Sequence, residues 1–145
     1  MDYYIVTGAS RGIGEAIVRS LIKPGNIIFA VSRNLNEDII ELASSLNIPL
    51  YYDEVDLSNP SEAEKFIRGV FRKMKPLSGE RISLINNAGM LNPVGRVSDL
   101  NFADVDTQLK LNFLAPFILS SVFISETDKF DSQKVILNIS SGAST

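Results

Sequence analysis

At 145 residues, with 45% hydrophobic and 21% charged side chains, the chain has the size and balance of one globular domain able to bury its own core. It contains neither cysteine nor histidine, which excludes disulfides, Cys- or His-ligated metals and a Ser-His-Asp mechanism, and leaves proton transfer to Tyr, Lys, Asp or Glu. A net charge of −3 argues against a nucleic-acid partner, MDYYIVTG lacks the basic start of a signal peptide, and the apolar run 113–124 is too short for a bilayer, so a cytoplasmic protein with no membrane partner is expected.

In chain order, apolar runs of strand length alternate with helix-period segments. YYIV (3–6) is short and uncharged, as a strand buried on both faces should be. GIGEAIVRSLIK (12–23) sets Ile13, Ala16, Ile17 and Leu21 at helical spacing, and Pro24-Gly25 stops it. IIFAVS (27–32) reads as a second strand, NEDIIELASSL (36–46) as an amphipathic helix, and PLYYDEVDL (49–57) holds a third strand. The segment 59–74 has Asn59 as N-cap, Pro60 at the first helical position, and Glu62 and Glu64 in or near the first turn. RISLINNAG (81–89) is a fourth strand running into a turn. An irregular stretch to about residue 100 follows, then a helix over about 102–124 and a fifth strand, KVILNIS (134–140). Five strand–helix alternations without an evident hairpin predict an α/β fold: a doubly wound parallel sheet with helices on both faces, built from residues 1–145 as one domain.

TGASRGIG (7–14) lies directly after the first strand and opens the first helix. Small residues there let phosphates approach the backbone, and free N–H groups at a helix start hold negative charge. The competing reading is a tight strand-to-helix turn with no ligand. The glycines at Gly8, Gly12 and Gly14 follow Gly-x-x-x-Gly-x-Gly, and their strand–turn–helix setting favours a nucleotide.

This turn resembles the cofactor motif of the short-chain dehydrogenases/reductases, and four further matches follow in that family's order: EVDLS (54–58), NNAG (86–89), KLNFLAPF (110–117) and the end of NIS-S at Ser140 and Ser141. The resemblance covers essentially the whole chain. It implies a Rossmann-type sheet of order 3-2-1-4-5 and hydride transfer between a nicotinamide cofactor and a carbonyl or alcohol. It also implies a cofactor turn formed by Gly8, Ser10, Arg11, Gly12, Ile13 and Gly14. Asp56 and Leu57 would form the adenine pocket, although a strand-end Asp also caps turns. Asn87, Ala88 and Gly89 would lie along the cofactor, with Asn86 holding the sheet together, and Ser140 would offer backbone to the cofactor. Ser141 would be catalytic, hydrogen-bonding the substrate oxygen. Asn112 would hold a water in a proton relay through its carbonyl. Independently of the family, Pro116 lies four residues beyond Asn112 and has no N–H, which predicts a buried carbonyl without its helical partner.

An NAD-binding Rossmann protein usually carries an acid at the end of its second strand for the ribose 2′-hydroxyl. AVSRN has Ser32 at that place and Arg33 next, and Arg11 sits in the glycine turn. An arginine pairs with a 2′-phosphate that a carboxylate would repel, so NADP(H) is the expected cofactor.

In the family, Tyr-x-x-x-Lys follows the catalytic serine by about a dozen residues. Here Tyr3, Tyr4, Tyr51 and Tyr52 precede Thr7, Gly8, Val55 and Asp56 by four residues, and none precedes Lys at that spacing. NISSGAST (138–145) is therefore expected to be an interrupted active site in a chain truncated before its acid/base. The alternative is a non-catalytic nucleotide-binding module. A methyltransferase-like sheet would prefer an acid after the second strand and has no reason for NNAG or Ser141. NNAGMLNPVGRVSDL and NFLAPFILSS look most like the branch containing benzil reductases and sepiapterin reductases. That resemblance implies a small-molecule carbonyl substrate such as a diketone or pterin side chain, and a homodimer or homotetramer at full length.

Overall fold

Successive side chains of the first strand enter two different cores, one on each face of a single sheet. The structure is a computed structural model that describes residues 1–141. Its strands are β1 (Asp2–Thr7), β2 (Asn26–Ser32), β3 (Leu50–Glu54), β4 (Arg81–Asn86) and β5 (Gln133–Asn138). The helices are α1 (Gly12–Leu21), α2 (Glu37–Ser45), α3 (Pro60–Lys73), α4 (Phe102–Leu109) and α5 (Ala115–Thr127). Tyr3 and Ile5 join Phe29, Val31, Ile82 and Leu84 beneath Phe66, Ile67 and Phe71 of α3 and Leu119 and Phe123 of α5. Val6 joins Ile28, Ala30 and Ile85 beneath Val18 of α1 and Ile39 and Ala43 of α2. This period-2 division between two covered faces is why the central strands are apolar without interruption.

All strand pairs are parallel, in the order β3-β2-β1-β4-β5. That is the order the family resemblance implied. Asn59 caps α3 as expected, its side chain accepting from the Ser61 and Glu62 N–H groups at 3.1 and 3.4 Å, with Pro60 opening the helix.

Two helices carry detail beyond what their spacing predicts. In α1 the buried residues are Gly14 and Val18, whereas Ile13 is 62% exposed and Ala16 is exposed. The helical period holds, but its phase is set by the backbone contact that Gly14 makes, described below. The helix expected over 102–124 is not uniform. A π turn at Lys110–Leu114 separates α4 from α5, and the Ala115 N–H donates five residues back to the Lys110 carbonyl. Taken together, Phe102–Thr127 is long and apolar enough to cross a membrane by length and composition, unlike the run 113–124. In the fold, Ala115, Leu119, Val122 and Phe123 of that helix are core residues.

Candidate cofactor site

Strand order reverses between β1 and β4, because β1 leads outward to β2 and β3 while β4 lies on its other side. Loops leaving the carboxyl ends of neighbouring strands diverge at such a point and leave a crevice. The crevice here is a cleft of about 290 Å³. It is lined by Gly8, Ser10 and Arg11 after β1, Ser32, Arg33 and Asn34 at the end of β2, Val55 and Leu57 after β3, Asn87, Ala88 and Gly89 after β4, and Leu111.

The floor of the cleft is backbone packed on backbone. Gly8 has φ +70°, and a Cβ there would lie 2.9 Å from the Ala88 Cα. A Cβ on Gly14 would lie 2.0 Å from the Gly8 carbonyl oxygen and 2.5 Å from Asn87 Nδ2. The first turn of α1 therefore approaches the end of β1 as closely as a main chain can. The two loops are also stitched together. Thr7 Oγ1, on a residue only 1% exposed, accepts from the Asn87 and Ala88 N–H groups at 3.0 and 2.9 Å. Asn87 Nδ2 donates back to the Thr7 and Gly8 carbonyls at 3.0 and 3.2 Å. Asn86 does hold the sheet: its Nδ2 donates to Asn138 Oδ1 of β5 at 2.9 Å and to Ser120 Oγ of α5 at 3.2 Å.

At the end of β2, Ser32 is nearly buried, and its hydroxyl lies 2.7 Å from both the Asn34 carbonyl and the Tyr52 hydroxyl. A hydroxyl has one proton. With that proton on Asn34, Tyr52 is the donor to Ser32. Burial pushes the Tyr52 phenol upward, against the opposing effect of the Ser32 hydrogen bond, and so favours the protonated donor. Ser32 thus shapes the turn that carries Arg33. Among the described residues the cleft is lined by two arginines and no carboxylate, which suits an anionic ligand.

Other expected site residues lie apart from the cleft lining. Gly12, Ile13 and Gly14 belong to α1 behind it. Asp56 also falls outside the lining, and its Oδ1 accepts from the Ser58 N–H and hydroxyl at 2.9 and 2.7 Å, the turn-capping role weighed for it above. Asn112 is exposed rather than buried. Its side chain grips the loop after β4, with Nδ2 donating to the Met90 carbonyl at 2.7 Å and Oδ1 accepting the Met90 N–H at 2.9 Å. Gln108 Nε2 donates to the Leu91 carbonyl of the same loop at 3.0 Å. Pro116 has no N–H to offer either the Asn112 carbonyl four residues back or the Leu111 carbonyl five back, the partner in the register of the π turn. Ser140 and Ser141 are exposed beyond β5, and residues 142–145 of the NISSGAST segment lie outside the described residues.

Sequence reasoning missed Asn34, Val55 and Leu111 in the lining, and Thr7 and Tyr52 behind it. Thr7 was visible as the one polar residue closing an apolar strand.

The strand order, the backbone-tight glycine turn and the cleft at the reversal define a Rossmann-type domain. The chain belongs to the short chain dehydrogenase family, whose sequence model matches residues 3–145. That is a family of oxidoreductases using nicotinamide cofactors and small-molecule substrates. The chain is 33% identical to a benzil reductase ((S)-benzoin forming) of Bacillus cereus over 143 residues, 99% of this chain and 57% of that protein. It is 28% identical to the sepiapterin reductase of Rattus norvegicus, covering 94% of this chain and 56% of that one. The crystal structure of a metagenomic short-chain oxidoreductase in complex with NADP superposes with a TM-score of 0.85 at 28% identity, covering 99% of this chain and 63% of that one. The chain thus spans little more than half the length of the curated relatives it matches.

Proposed function

We propose that this chain is the coenzyme-binding part of a cytoplasmic NADPH-dependent reductase that converts a carbonyl, of the diketone or pterin side-chain class, to an alcohol. The observation that carries the reading is the cleft bearing Arg11 and Arg33 with, among the described residues, no acid in its lining. A guanidinium pairs with a 2′-phosphate, and a carboxylate after β2 would repel it. The glycine floor fits the same ligand, since the backbone at Gly8 and Gly14 leaves no room for side chains that would hold a pyrophosphate away. When bound, the nicotinamide supplies the hydride.

Ser141 orients the substrate oxygen, and Asn112 fixes the loop at Met90 with its side chain while its main chain serves the proton relay. No tyrosine here precedes a lysine by four residues, so the chain by itself binds coenzyme without turnover. Leu109, Phe113, Phe117 and Ile124 leave an apolar outer surface along α4 and α5, which favours a homodimer or homotetramer. Light scattering tests that point, and a monomer at working concentration refutes it.

NADPH fluorescence titration is the direct test of the coenzyme. NADPH is expected to bind at least about tenfold more tightly than NADH, and Arg33→Asp to abolish or invert the difference. Equal affinities, or a preference that survives Arg33→Asp, sink the reading. Reduction of simple aldehydes but not diketones by the reductase would overturn the substrate class alone.

A further inference from the structure

Asn36 stands between α2 and the glycine turn, and both ends of its amide are engaged. Its Oδ1 accepts from the Ile39 N–H at 3.1 Å, which caps α2. Its Nδ2 donates to the Ser10 carbonyl at 2.9 Å, across 26 positions of sequence. Ser10 immediately precedes Arg11, and Asn36 follows Arg33 by three residues. The two arginine-bearing walls of the cleft leave different strands, β1 and β2, and this hydrogen bond joins them directly.

We infer that Asn36 is a specificity-determining positioning residue, a latch that sets the spacing of Arg11 and Arg33 so that both engage one 2′-phosphate. The inference rests on the NADPH reading. A two-point charge clamp on a compact phosphate depends on the separation of its arms. An N-cap alone does not need an amide. Serine and threonine cap about as well, but their hydroxyl ends one bond short and has no second group for Ser10. The Ser32–Asn34 and Ser32–Tyr52 bonds stiffen the turn on the β2 side, and the Gly8 and Ala9 N–H groups tie the start of the glycine turn to the Val31 carbonyl at 2.8 and 3.3 Å, so Asn36 acts further out, where Ser10 leads into Arg11.

The experiment compares NADPH and NADH affinities, by fluorescence titration, in the unsubstituted chain and in Asn36→Ser, with thermal melting alongside. Asn36→Ser is expected to weaken NADPH about fivefold and NADH by less than about twofold, the size of one lost hydrogen bond read only through the phosphate. The melting temperature should move by no more than about 2 °C, because the cap survives. Should Asn36→Ser unfold, Asn36→Thr carries the same comparison. If the unsubstituted chain prefers NADPH and the variant keeps the same ratio, or loses both coenzymes equally, the latch is overturned while the coenzyme reading stands. If the unsubstituted chain shows no preference, the coenzyme reading falls and takes the latch with it.

Discussion

Replacing Thr7 by Val is expected to cost the fold about 3 kcal/mol and to remove most coenzyme affinity. The substitution keeps the shape and deletes one oxygen. That oxygen accepts from two backbone N–H groups, Asn87 and Ala88, at 3.0 and 2.9 Å, on a residue 1% exposed. A buried donor left without its acceptor costs about 1–3 kcal/mol, and here there are two, each partly open to rescue by water. The NNAG turn would then leave its place against β1. Thr7→Ser keeps the oxygen and should lose under about 1.5 kcal/mol, the value of a buried methyl group. Urea denaturation of the three proteins checks this, and a Thr7→Val cost no larger than that of Thr7→Ser would refute the role.

Gly14→Ala is expected to be as severe for a different reason. The added Cβ would lie 2.0 Å from the Gly8 oxygen and 2.5 Å from Asn87 Nδ2. The first obstacle is main chain at the end of β1, which is held in the centre of the sheet and has no flexible end to move aside. Overpacking of this kind costs about 1–3 kcal/mol and here should reach the top of that range. Alanine is otherwise the better helix former, by about 1 kcal/mol, so intrinsic propensity alone predicts the opposite sign. A melting temperature that rises in Gly14→Ala would show that the helix can back away from the strand and that the close approach is not required.

The alternation of elements and the parallel sheet were legible because short unbroken apolar runs and helical spacing are local signals. The α3 cap was legible for the same reason, since Asn59 and Pro60 act on the turn they precede. The glycine turn, the arginines and NNAG could be placed together because the topology, once inferred, brings the ends of β1, β2 and β4 to one crevice. What could not be read was phase and partnership. Nothing in GIGEAIVRSL says that Gly14 rather than Ile13 faces inward; that is decided by a contact with a residue on another element. Asn112 was expected to act through a carbonyl in a regular helix. What no local pattern shows is that its side chain also holds Met90, 22 residues away, from a π turn. Asn36 read as a helix start, and its second hydrogen bond reaches 26 residues back, beyond any local pattern.

The π turn has a consequence for how such a chain can change length. A π turn spends about one more residue than an α turn on nearly the same rotation, so removing one residue from Lys110–Leu114 would regularise the hydrogen bonding and leave α4 close to its present angle around the axis of α5. Gln108 would still face the loop at Met90 and Leu91 that it now holds. The exposed stretch after Leu91 can also gain or lose residues singly. A change of one residue is therefore tolerated on both sides of the Asn112 grip: the loop is elastic, and the helix that anchors it carries one slack link.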